Sequence, residues 1–258
     1  MKLPWPLPAW VAVATVMATV VAACASPPAQ LAPQVEARFP HDREAFTQGL
    51  LLENGLLYES TGLYGRSSLR EVDPASGAVI RMRDLDPGLF GEGLALVGDR
   101  LIQLTWRAGL ALVYDLETFE PLGSFRYRGE GWGLCYDGEE LWMSNGSSSL
   151  TVRDADTFEV RRRVPVTAQG EPVARLNELE CVGPHVYANV WQTDSIVRID
   201  KSSGRVDALV DASRLLTGDT RAGLSADAVL NGIAYDADDD LFLVTGKLWP
   251  LLFAVRFD

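Results

Sequence analysis

Short apolar strands with polar ends recur along this sequence at intervals of 40–54 residues. Each interval opens on a hydrogen-bonding residue that leads into an apolar run, and about thirteen residues later a second run ends in Ser, Thr, Trp, Asn or Lys. The five opening residues are Gln48, Glu92, Trp132, Asn177 and Asn231. Alternation of apolar and polar residues is typical of half-buried strands. A repeat of this length with several strands per unit predicts a β-propeller.

The five units predict an all-β fold, a five-bladed β-propeller. The last unit has room for only three strands, whereas residues 35–39 precede the first unit and belong to no unit. We therefore expect an N-terminal strand to complete the last blade and close the ring, which removes exposed strand edges. Residues 211–229 are additional to the repeat and predict a short helix and a loop over one rim. Long loops in compact domains are usually functional or mobile.

The N-terminal residues 1–23 predict a signal peptide of the lipoprotein type. Lys2 precedes an apolar run at 9–23 that contains no acidic residue. This run is short and rich in alanine, so it suits a secretory signal better than a membrane span. It ends in Val-Ala-Ala before Cys24, which resembles a bacterial lipobox and makes Cys24 the predicted lipidation site. Ordinary signal-peptidase cleavage near Cys24 is the alternative.

The same segment predicts domain organisation and location. Residues 24–34 are rich in Pro and Ala and predict a tether, and residues 35–258 then form the propeller catalytic domain. We expect an exported protein, lipid-anchored to a bacterial membrane and facing the periplasm. The outer membrane is favoured because no acidic residue follows Cys24 directly. A periplasmic or secreted protein is the alternative.

Charge and cysteine content narrow the choice of partners. The net charge of −12 and the absence of a basic run argue against binding to nucleic acid or to anionic lipid surfaces. We expect membrane contact only through the lipid anchor. Cys135 and Cys181 lie in the opening strands of neighbouring units, three and four residues after Trp132 and Asn177. The unequal offsets suggest different side-chain directions, which favours buried free thiols over a disulfide.

Equivalent positions in a propeller converge on one central channel. The first strand of each blade starts at the channel mouth and the second strand returns to it. One face therefore collects a carboxylate, an ammonium group and three indoles: Glu92, Lys247, Trp106, Trp132 and Trp191. Three tryptophans at one mouth indicate an aromatic ligand pocket. A water-filled channel with polar walls is the alternative, and it is the favoured interpretation for Asn231 and Asn145.

Several motifs resemble those of the plant-type and bacterial glutaminyl cyclases. They are FTQGL (46–50), FGEGLAL (90–96), LNELE (176–180), YANVW (187–191) and TGK (245–247). The resemblance covers residues 36–258 and implies a five-bladed propeller that converts the N-terminal Gln of a peptide or protein to pyroglutamate with release of ammonia. It implies that Glu92 is the catalytic carboxylate. The other implied pocket residues are Phe46, Gln48, Trp106, Trp132, Asn177, Trp191 and Lys247.

This reaction needs a proton relay, an oxyanion stabiliser and a dry pocket. We expect Glu92 to take the α-amine proton and return it to the leaving nitrogen. Gln48, Lys247 and a Trp N–H would stabilise the oxyanion. The indoles would hold the side chain folded and exclude water, and Asn177 would bind the substrate backbone or α-amine. Burial raises a carboxyl pKa and a nearby lysine lowers it, so the balance at Glu92 stays open.

No cofactor or metal is expected. His41 and His185 are the only histidines and do not make a dedicated zinc site. Other acids near the motifs are assigned structural roles, namely Glu44, Glu59, Glu130, Glu178 and Glu180. Glu178 and Glu180 are expected to hydrogen-bond loop backbones or to hold a channel cation. The alternative to a monomeric enzyme is a non-catalytic, lipid-anchored propeller that binds peptide N-termini or other small ligands, and the presence of both Glu92 and Lys247 favours the enzyme.

Overall fold

Five sheets, each built from four antiparallel strands, surround a central axis in the computed structural model, which describes residues 1–2 and 26–258. One of the sheets gains a fifth, parallel strand. The first strand of each sheet contacts the first strand of the next, and the fifth contacts the first. This closed order confirms the five-bladed propeller. The predicted signal peptide and Cys24 lie outside the described residues, apart from residues 1–2. Within the described part of the chain, no helix has the length and apolar character needed to cross a bilayer.

The strands of each blade follow one another along the chain from the axis outward. Blade one consists of Thr47–Glu53, Leu56–Thr61, Ser68–Val72 and Val79–Asp84. Blade two consists of Gly91–Val97, Arg100–Thr105, Leu110–Asp115 and Pro121–Arg126. Blade three consists of Leu134–Tyr136, Glu140–Met143, Ser149–Asp154 and Val160–Pro165. Blade four consists of Leu176–Val182, His185–Val190, Ser195–Asp200 and Val206–Asp211.

Blade five is completed by an N-terminal strand, as the sequence predicted. Its first three strands are Leu230–Asp236, Leu241–Gly246 and Leu251–Phe257. The outer strand is Pro33–Pro40, which runs antiparallel to the third strand. The chain therefore closes the ring through hydrogen bonds between segments from opposite ends of the propeller sequence.

Part of the segment predicted as a tether belongs to the propeller. Ala29–Leu31, within the segment 24–34 that we assigned to a tether, forms a strand parallel to Val206–Asp211. Leu31 packs against a core cluster that includes residues of blades four and five. The added strand covers the outer edge of blade four, an edge that would otherwise present unpaired backbone groups.

The turns between the third and outer strands of blades one to four share one type of hydrogen bond. In each turn an Asp side chain accepts a hydrogen bond from the backbone N–H three residues later, at 2.8–2.9 Å. The pairs are Asp73 with Ser76, Asp115 with Thr118, Asp154 with Thr157, and Asp200 with Ser203. Such side-chain to backbone bonds stabilise turns locally. The same local hydrogen bond therefore forms the outer hairpin turn of four blades.

Two small elements lie outside the blades. A hairpin of Thr167–Ala168 and Glu171–Pro172 follows blade three. The segment 211–229 contains a helix at Gly218–Ala222, which confirms the short helix predicted for this rim.

The expectation of free thiols at Cys135 and Cys181 is wrong, because the two residues form a disulfide. Cys135 lies opposite Trp142 and Cys181 opposite Val186, on the first strands of blades three and four. Neighbouring blades pack face to face, so a bridge between them needs side chains that leave their two sheets from opposite faces. Successive strand residues point to opposite faces. The one-residue difference in offset, which we took as evidence against pairing, supplies this geometry.

Candidate active site

A cavity of about 340 Å³ opens at one face of the propeller. It brings together all eight residues predicted to form the site: Phe46, Gln48, Glu92, Trp106, Trp132, Asn177, Trp191 and Lys247. Five of them lie at or just before the start of a blade's first strand, and Trp106, Trp191 and Lys247 directly follow the end of a second strand. Antiparallel pairing of these two strands places both positions at the same face.

Two polar positions noted in the sequence do not line this cavity. Asn231 is fully buried beside it, and its Nδ2 donates to the backbone oxygen of Thr47 at 3.0 Å and to Gln48 Oε1 at 3.3 Å. Asn145 is exposed, and its Oδ1 accepts from the hydroxyl of Ser147 at 2.6 Å. Asn231 therefore orients Gln48, whereas Asn145 stabilises a turn.

Glu92 is the buried carboxyl group of the cavity, with only 4% of the residue exposed. Its Oε2 has no hydrogen-bond partner among the described residues. Burial raises the pKa of Glu92 well above its usual value, and Lys247 lowers it less than burial raises it. Glu130 adds a smaller upward shift of the same pKa. The balance that the sequence left open is therefore decided by desolvation.

Lys247 is the matching buried amine, also with 4% of the residue exposed. Burial lowers its pKa to about 8, although Glu92 and Asp227 oppose the shift. Its Nζ lies 4.8 Å from the centroid of the Phe46 ring, a cation–π distance. The ammonium group is thus held in the cavity by an aromatic face and by the electrostatic attraction of nearby carboxylates.

Two of the three indoles are fixed by an acid that the sequence did not assign to the site. Trp106 Nε1 and Trp132 Nε1 both donate to Glu130 Oε2, at 2.9 and 3.0 Å. Arg107 Nε donates to the other oxygen of Glu130 at 2.9 Å, and its guanidinium lies 3.7 Å from the Trp106 ring centroid. Burial would raise the pKa of Glu130, but the three hydrogen bonds outweigh it and lower that pKa.

These bonds narrow the choice of indole in the oxyanion prediction. The N–H groups of Trp106 and Trp132 are already donated to Glu130, so neither indole is free to donate to a substrate in this arrangement. Trp191 lies edge-on to Trp132, with ring centroids 5.4 Å apart. In the described part of the chain, the indole N–H of Trp191 has no acceptor, so it is the indole left for that contact.

Glu178 performs the backbone hydrogen bonding expected of it, but on strands rather than loops. Its two carboxyl oxygens accept from the N–H groups of Leu50 at 3.4 Å and Ile233 at 2.8 Å, in the first strands of blades one and five. Burial raises the pKa of Glu178 well above its usual value. The carboxyl group thus links three blades beneath the cavity. The neighbouring Asn177 keeps a buried Oδ1 without a partner in the described residues.

Comparison with known proteins decides the family. A family model described as glutamine cyclotransferase matches residues 9–257. The chain belongs to the glutamine cyclotransferase family. A glutaminyl-peptide cyclotransferase of Arabidopsis thaliana is 44% identical over 225 residues, which cover 86% of this chain and 70% of the relative. The crystal structure of Myxococcus xanthus glutaminyl cyclase matches with a TM-score of 0.84 and 39% identity, over 90% of this chain and 98% of that one.

Membership of the glutamine cyclotransferase family confirms the resemblance found in the motifs. The structure also adds cavity residues that the motifs did not provide: Leu63, Phe90, Gln192, Ala226, Asp227 and Val229. Phe90 lies within the FGEG motif and packs between Trp106 and Phe46, with ring centroids 5.5 and 6.1 Å away. Its position two residues before Glu92 was the feature of the sequence that could have assigned it to the cavity. Residues 226–229 belong to the rim loop, where only the length of the insertion pointed to a role.

Proposed function

We propose that this chain is a glutaminyl-peptide cyclotransferase that converts the N-terminal Gln of peptides and proteins to pyroglutamate and releases ammonia. The names of its similar proteins and its family support this activity. The observation that carries the mechanism is a buried carboxyl group, Glu92, beside the buried amine of Lys247 in a cavity walled by indoles.

The proton relay is assigned to Glu92. The substrate α-amine attacks its own side-chain Cδ, so a new N–Cδ bond forms and the bond from Cδ to the amide nitrogen breaks. Glu92 takes the proton released by the α-amine and returns it to the departing nitrogen, which leaves as ammonia. A carboxyl pKa well above its usual value lies closer to that of an α-amine. Closer pKa values make proton transfer in both directions more favourable.

The oxyanion that forms on the side-chain oxygen is assigned to Gln48 and Lys247. Asn231 donates to Gln48 Oε1, so the amide nitrogen of Gln48 is the end left to donate toward the cavity. Lys247 adds a positive charge that is almost fully buried in the cavity wall. Donors fixed before the reaction stabilise developing charge without reorganisation. Trp191 is the indole assigned to the same oxygen, and the unpartnered Oδ1 of Asn177 is assigned to the substrate α-amine.

The aromatic walls are assigned to positioning. The rings of Phe46, Trp106, Trp132 and Trp191 would hold the glutamine side chain folded back on its amine. Because the amine and Cδ are held together on binding, their conformational entropy is lost before the reaction step and no longer adds to its barrier. The same rings would keep water from attacking Cδ, which would give glutamate instead of pyroglutamate.

The test is ammonia release from Gln-Ala by the purified chain, measured with EDTA present, beside Glu92→Gln. We expect turnover that survives chelation and a fall in kcat on the order of 100-fold or more in the variant. Glu44→Gln is the matched control, because Glu44 is exposed and forms only a 3.5 Å surface pair with Arg66. Wild-type kcat in Glu92→Gln would refute the relay. Binding of Gln-Ala without any turnover by the folded wild type would favour the binding-only alternative.

We also propose that the protein is exported and anchored through a lipid on Cys24, on the periplasmic side of a bacterial membrane and with the outer membrane favoured. The lipobox-like sequence before Cys24 supports this, as does the disulfide between Cys135 and Cys181, since disulfides persist in oxidising compartments. Mass spectrometry of the protein from its host should find a diacylated Cys24 as the first residue. An N-terminus without lipid would overturn the anchor. Apart from this anchor we propose a monomer, which light scattering would test.

A further inference from the structure

A second cavity, of about 240 Å³, lies beside the first beneath the rim loop. The two cavities share three wall residues, Gln192, Ala226 and Val229. They are therefore adjacent, and a chain that leaves the first cavity on this side enters the second. The second volume is below the roughly 300–1,000 Å³ typical of sites for drug-sized ligands. It suits one side chain of a longer ligand better than a separate small molecule.

The inner wall of this second cavity is apolar. Leu216 and Trp249 are almost fully buried, and Leu224 is partly buried against the same core cluster. Trp249 Nε1 donates to the backbone oxygen of Ala228 at 3.0 Å, so its polar atom is already satisfied. These residues present hydrocarbon to whatever enters, which favours an apolar side chain.

The outer wall is polar but balanced in charge. Arg221 Nη2 lies 2.7 Å from Asp194 Oδ2, and the pair connects the rim helix to the turn that precedes the third strand of blade four. Each charge is therefore neutralised by the other. Thr193 and Ser225 complete this side of the cavity. Such a wall gives little preference for a charged side chain while it offers polar groups to a peptide backbone.

The wall between the cavities contains a residue in an uncommon conformation. Gln192 has φ of 62°, in the left-handed region that non-glycine residues seldom adopt. It follows Trp191 directly, and the next residue, Thr193, donates its hydroxyl to the backbone oxygen of Val190 at 2.6 Å. This backbone is one of nine left-handed non-glycine positions in the described chain, and it turns the chain after the second strand of blade four. Here it places Gln192 in the wall of both cavities.

We propose that the second cavity binds the side chain of the residue that follows the N-terminal glutamine, and that it favours an uncharged apolar side chain such as leucine. This inference rests on the proposed cyclotransferase activity. The reacting glutamine fills the first cavity with its amine and side chain, so its carbonyl leads the peptide toward the shared wall. The rim loop then acts as a specificity element, since residues 216–229 supply most of the second cavity.

The experiment compares kcat/KM for Gln-Leu-NH2, Gln-Gly-NH2 and Gln-Asp-NH2 with the full chain. We expect the leucine peptide to exceed the glycine peptide by about tenfold, as burial of an apolar side chain allows. The aspartate peptide should show no advantage over glycine. Equal values for leucine and glycine would overturn the inference while leaving the proposed function in place. No turnover of any peptide would instead overturn the proposed function.

A filling substitution tests the location. Ser225→Trp adds a large ring at an exposed residue that lines only the second cavity. We expect it to bring the leucine-to-glycine ratio of kcat/KM close to one. Ser213→Trp is the matched control, because Ser213 is an exposed serine of the same rim segment that lines neither cavity, and it should keep the wild-type ratio. An unchanged ratio in Ser225→Trp would place the preference elsewhere.

Discussion

Removal of the disulfide between Cys135 and Cys181 should cost the propeller a large part of its stability. The bond joins the first strands of blades three and four across a sequence separation of 46 residues. The loss of chain entropy in the unfolded state for a loop of this length corresponds to about 4 kcal/mol at 25 °C. For a domain of 150–250 residues each 1 kcal/mol shifts Tm by roughly 2–4 °C. The double variant Cys135→Ala, Cys181→Ala should therefore melt about 8–16 °C lower.

The assay is thermal unfolding of the oxidised wild type and the double variant, each with and without a reductant. The reductant should lower the Tm of the wild type toward that of the variant and should leave the variant unchanged, which makes the variant its own control. Titration of thiols in the unfolded, oxidised wild type should find Cys135 and Cys181 unreactive. Equal melting temperatures, or two reactive thiols at these positions, would refute the reasoning.

Two further predictions concern the active site. Burial lowers the pKa of Lys247 to about 8, so its ammonium is present below pH 8 and is lost as pH rises through that value. We expect kcat to fall at alkaline pH with a midpoint near pH 8. Lys247→Arg should move this alkaline fall beyond about pH 10, because arginine stays protonated. An alkaline fall that does not move in the variant would assign it to another group. Glu130→Gln removes a charged acceptor from two indoles. We expect KM of the Glu130→Gln variant to rise about tenfold, with a smaller change in kcat and altered tryptophan fluorescence. The control Glu120→Gln, at an exposed acid, should behave like the wild type. A fall in kcat alone would contradict a positioning role for Glu130.

Topology made the main site predictable from the sequence. Glu92 and Lys247 are far apart along the chain, but one lies near the start of a first strand and the other follows the end of a second strand. In a propeller those two positions share a face, so their proximity follows from the repeat alone. The same logic placed Trp106, Trp132 and Trp191 around one cavity.

The repeat in the sequence could not predict the direction of individual side chains or the path of the rim loop. Asn231 occupies an equivalent position to Glu92, yet its amide turns toward Gln48 and not into the cavity. Glu130 precedes Trp132 by two residues, but its choice of two indoles as partners depends on rotamers that the pattern does not encode. Residues 226–229 carry no strand periodicity, because the loop is shaped by its contacts with blades four and five rather than by a repeat.

Closure of the ring by Pro33–Pro40 and Leu251–Phe257 sets the order of events when the protein is made. The N-terminal strand emerges from the ribosome first, yet its antiparallel partner is the last strand of the propeller to be synthesised. The finished ring therefore forms only after translation of blade five, and until then blade five and its neighbours lack their final packing. The export that we propose would benefit from this arrangement, because a topology that delays the compact state keeps the chain unfolded for longer before it crosses a membrane.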